Sequence, residues 1–69
     1  MDKKLTEFER GVLYAAVHLQ RGPHESGLAA DLLRESGFSD LDCSELDEYD
    51  KEALRIINEE KDMALLGLD

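Results

Sequence analysis

Seven of the thirteen residues from Asp40 to Glu52 are carboxylates, in the run Asp-Leu-Asp-Cys-Ser-Glu-Leu-Asp-Glu-Tyr-Asp-Lys-Glu. The first chemistry to test is calcium binding. Aligned as an EF-hand loop, Asp40, Asp42 and Ser44 take the first, third and fifth positions. The sixth is then Glu45, where the turn needs glycine, and the twelfth is Lys51, where a bidentate glutamate is needed. Both decisive positions fail. Zinc fares no better, because Cys43, His18 and His24 have no ligand spacing. No metal site and no cofactor are expected.

Catalysis has equally little to stand on. Paired carboxylates work as acid and base only where a cleft pushes their pKa values apart. A bundle of this size has little room for such a cleft. A nucleophilic Cys43 would need a partnering histidine and an orienting group, and neither histidine has local support. The glycines form no phosphate-cradling pattern. The chain reads as a non-enzyme with no catalytic residue.

Two readings of the acidic run remain. The plain one is a solvated cap and helix face. The sharper one is an electrostatic docking surface made by Asp40, Asp42, Glu45, Asp47, Glu48 and Asp50, with Leu41 and Tyr49 as apolar anchors. Such a surface steers a basic partner and speeds encounter. A second candidate interface lies on the first helix, where Glu7, Gly11, Tyr14, His18 and Arg21 recur at spacings of four, three, four and three. Gly11 inside a helix costs about 1 kcal/mol relative to alanine, a cost that close approach of another chain would offset. Tyr14 and Arg21 are residue types favoured at interfaces. The plain alternative is an incidental Gly11, with Tyr14 and His18 lining the edge of the core.

The net charge of −9 is unevenly placed. Residues 1–38 hold six acids and five bases, whereas residues 39–69 hold eleven acids and three bases. That asymmetry argues against direct contact with nucleic acid, whose phosphates need a basic surface. It argues equally against an anionic membrane. No stretch approaches the roughly 20 apolar residues that span a bilayer. Charges interrupt the start of the chain, so no signal peptide is read there. One cysteine excludes an internal disulfide and fits a reducing compartment. Cys43 itself reads as a small, partly buried side chain. A cytoplasmic protein is expected.

The elements that must position these residues are helical. Thr6 and Glu9 form a capping box, and Arg21-Gly22-Pro23 supplies a stop, with Gly22 suited to the left-handed C′ conformation. Between them Phe8, Val12, Ala15, Ala16 and Leu19 mark an apolar stripe, widened by Leu13 and Val17. A second helix over 27–35 has Ser26 as N-cap, with His24 or Glu25 as the alternative start of the turn, and Leu28, Ala29, Leu32 and Leu33 as its apolar face. It ends in a Schellman motif, with Gly37 at C′ and Phe38 at C″. Residues 39–44 read as a connection with Leu41 tucked into the core. A third helix over about 46–61 carries Leu46, Tyr49, Ala53, Ile56 and Ile57, with Asp47–Lys51 and Glu52–Arg55 as local ion pairs. The apolar tail from Met63 to Asp69 either extends the third helix or folds back over the core, and folding back is the expectation. The whole, residues 1–69, predicts one all-α domain, a small bundle of three short helices, the alternative being an open helical arrangement completed by a second copy.

Three stretches carry a resemblance. Leu-Thr-Glu-Phe-Glu-Arg-Gly-Val-Leu-Tyr-Ala-Ala (5–16), Ala29-Ala30-Asp31-Leu32-Leu33 and the run from Asp42 to Arg55 resemble short open reading frames of tailed bacteriophages and enterobacterial prophages. The resemblance spans most of the chain and carries no site residue across. It implies a small accessory protein in the host bacterial cytoplasm. Such proteins often bind and inhibit or redirect host machinery, including defence and nucleic-acid-handling proteins. The function expected is therefore binding and modulation, by inhibition, of a host or phage protein with a basic surface. The alternative is a homo-oligomeric structural or assembly protein, for example a homodimer, with no inhibitory role.

Overall fold

Side-chain caps start the first and third helices, and the ends show how. In the computed structural model, which describes residues 5–68, α1 (Glu7–Arg21), α2 (Ser26–Glu35) and α3 (Glu48–Ile57) form a small all-α bundle. The capping box is present: the Glu9 N–H donates to Thr6 Oγ1 at 3.0 Å and the Thr6 N–H to Glu9 Oε1 at 2.8 Å. The Schellman motif is present too. The Phe38 N–H donates to the Leu33 carbonyl at 2.7 Å and the Gly37 N–H to the Arg34 carbonyl at 3.1 Å. Gly37 takes φ +78°, where a Cβ would be strained.

Three details differ from expectation. Gly22 closes α1 at φ −78°, outside the left-handed region, and His24 takes the positive φ of 60° instead. Ser26 is the first residue of α2 and not its cap. Glu25 occupies the cap position with no side-chain hydrogen bond, and the Ser26 hydroxyl donates to Glu60 at 2.9 Å. That bond ties the start of α2 to the turn after α3. Finally, α3 is shorter than 46–61 at both ends. Asp47 caps its start by accepting from the Asp50 N–H at 2.9 Å. At its other end Asn58 turns its side chain to the returning tail: its Oδ1 accepts from the Leu65 N–H at 2.8 Å and its Nδ2 donates to the Leu65 carbonyl at 3.3 Å.

The tail folds back as expected. The Ala64 N–H donates to the Ser39 carbonyl at 2.9 Å, the Leu66 N–H to Leu41 at 3.0 Å, and the Cys43 N–H to Leu66 at 2.8 Å. These bonds lay 64–66 parallel to 39–43 around an isolated Asp42–Leu66 bridge. Arg55 Nε donates to the Leu68 carbonyl. Backbone groups that α3 would have satisfied by continuing are satisfied here across the chain. Gly67 closes the strap at φ +74°, and a Cβ there would sit 2.6 Å from the Ser44 nitrogen.

One core gathers Leu13, Ala16, Val17, Ala29, Ala30, Leu33, Cys43, Ala53, Leu54, Ile57, Leu65 and Leu68. Each fully buried leucine or isoleucine contributes about 2 kcal/mol. The buried stripes sit about one position further along each helix than the apolar series suggests. Phe8, Leu28, Tyr49 and Ile56, all expected inside, are 69%, 55%, 60% and 45% exposed. Ala15 is exposed as well. Alanines take core positions in their place: Ala16, Ala29, Ala30 and Ala53 are fully buried. Phe8 finds a partner at the edge, packing edge-to-face on Phe38 with ring centroids 5.7 Å apart. Leu41 packs against the core, half-buried, as expected. Gln20 is buried on α1, and its Oε1 has no hydrogen-bond partner among the described residues.

Candidate functional site

The acids of the 40–50 segment divide into two sets. Asp42 and Asp47 have structural work to do. Asp42 Oδ1 accepts from the Ser44 N–H at 2.9 Å, shaping the turn beside the tail strap, and Asp47 caps α3. Glu48 pairs with Arg55. Among the described residues, no hydrogen bond or ion pair engages the carboxylates of Asp40 and Glu45, and both residues are exposed. The expected helix pairing is corrected here. Arg55 serves Glu48 and the tail, while Glu52 lies 3.9 Å from Arg21 of α1. The Asp47 carboxylate is turned to the helix start instead of to Lys51.

Arg21 links the two surfaces that the sequence suggests separately. Its guanidinium carbon stands 3.7 Å from the Tyr49 ring centroid, and Nη1 reaches the Tyr49 carbonyl at 3.5 Å. Tyr49 is thereby held in place though largely exposed. Beside this stack runs a cleft of about 190 Å³, lined by Arg10, Leu13, Tyr14 and Val17 of α1 and by Leu46 and Asp50. Tyr14 is 71% exposed and His18 is also exposed, so neither lines the core edge as the plain reading had it. Tyr14 and Arg21 thus join Tyr49 and Asp50 in one region. Gly11 and His18 stay on the open face of α1, and nothing lies within 4 Å of a Cβ built on Gly11.

Arg10 and Leu46 belong to this region although sequence reasoning did not single them out as site residues. Leu46 reads as one more member of the third apolar series. Arg10 stands four residues before Tyr14, and that i,i+4 spacing is the signal that places both on one helix face.

The charges respond to their surroundings. Partial burial raises the pKa of Asp50, and the neighbouring Asp47 carboxylate raises it further, against a smaller opposing pull from Arg21. The hydrogen bond from Arg55 lowers that of Glu48. Burial, then the Asp42 charge, pushes the Cys43 thiol up to about 11, and its Sγ donates weakly to the Leu41 carbonyl at 3.7 Å. A thiol so placed is a packing group.

Among the described residues no cluster of three His, Cys, Asp or Glu side chains is arranged to hold a metal ion. No helix among them is long and apolar enough to cross a membrane. The cleft is smaller than the roughly 300 Å³ at which small-molecule sites begin. It has room for one long side chain. No protein family, curated protein or solved structure matches the chain.

Proposed function

We propose that this chain is a non-catalytic binding protein that docks on, and inhibits or redirects, a partner with a basic surface. The observation that carries this reading is Tyr49: an aromatic ring 60% exposed, backed by Arg21, in the middle of the acid-rich segment. An exposed aromatic costs little entropy to bury when it is already held. Carboxylates around it supply steering and orientation. Asp40, Leu41, Asp42, Glu45, Asp47, Glu48 and Asp50 complete the proposed surface. The phage or prophage context, the bacterial cytoplasm and a defence or nucleic-acid-handling partner belong to the same proposal. They rest on the residues that carry the resemblance.

The test is a tagged pull-down from host lysate, with and without phage proteins, beside a variant carrying Asp40→Asn, Asp42→Asn, Glu45→Gln and Asp47→Asn. Loss of a specific partner with helical content intact is the expected result. Capture that survives substitution at both low and high salt overturns the electrostatic account.

A homo-oligomeric assembly role is the second reading. It is favoured by the exposed α1 face of Glu7, Gly11, Tyr14, His18 and Arg21, where Gly11 leaves room for close approach. Light scattering at tens of micromolar separates the two, and a monomer discards the assembly role.

A further inference from the structure

We draw no further inference here: the strongest candidate, the exposed face of α1 that carries Phe8, Gly11, Tyr14 and Ala15, carries nothing because nothing in the structure shows what covers it.

Discussion

The Arg21 guanidinium lies 3.7 Å from the centre of the Tyr49 ring, twenty-eight residues away in sequence, and joins the end of α1 to the start of α3. The same side chain reaches the Tyr49 carbonyl and approaches Glu52. One residue thus braces an exposed aromatic at both its ring face and its backbone carbonyl. A double-mutant cycle on Arg21→Ala and Tyr49→Ala, read by chemical denaturation, should give a coupling of about 0.5–1 kcal/mol. Arg21→Lys should lose most of it, because an ammonium neither stacks nor forks. A coupling near zero would mean that Tyr49 stands by itself.

Asp47 is an acid with two meanings, one in the charge of the surface and one in the cap of α3. Asp47→Ala should lower stability by about 1 kcal/mol through loss of the bond from the Asp50 N–H, whereas Asp47→Asn should keep it within a few tenths. Thermal melts of both variants make the comparison. Equal losses would show that the charge, and not the cap, holds the helix start.

Gly67 is the hinge of the tail strap. Alanine there meets both an unfavourable φ of +74° and the Ser44 nitrogen at 2.6 Å. Gly67→Ala should cost about 1–3 kcal/mol. It should also speed hydrogen exchange at the Leu66 and Cys43 amides, which close the pairing between strap and loop. The Thr6–Glu9 capping box, at the other end of the chain, should be untouched. Unchanged exchange at Leu66 would show that the strap does not depend on this turn.

Cys43 makes the fold sensitive to alkali. Its thiol is raised from 9.0 to about 11 in the folded chain, so the folded state holds the proton more tightly than the unfolded one. The resulting stabilisation is fully present below pH 9 and is lost as pH rises through about 11. Cys43→Ala should flatten that part of the pH–stability curve. Thiol labelling of the parent at neutral pH should be slow and should track unfolding. Fast labelling of the native protein would contradict the burial.

Gly11 offers a stabilising substitution with a diagnostic use. A Cβ there meets nothing, so Gly11→Ala should raise stability by about 1 kcal/mol. Under the docking reading partner capture is unchanged. Under the assembly reading light scattering should show weakened self-association. A destabilised variant would mean that this face is less open than it stands here.

What the sequence by itself determined is mostly local. The Thr6–Glu9 capping box, the Schellman end at Gly37–Phe38, three helices and the negative charge of residues 39–69 are written in neighbouring residues, because caps and turns are satisfied within a few positions. Long-range partners are not written that way. Only the tertiary structure decided that α3 stops at Ile57, because the Asn58 side chain binds the backbone of Leu65 instead of leaving the helix to run on. It decided which apolar residues are inside. Alanines fill the core while Phe8, Leu28, Tyr49 and Ile56 face outward, which helical periodicity cannot separate from their inward neighbours. It also decided that Tyr14 and Arg21 meet Tyr49 and Asp50. Two faces that look independent along the chain become one surface, because α1 and α3 pack side by side and a guanidinium bridges them.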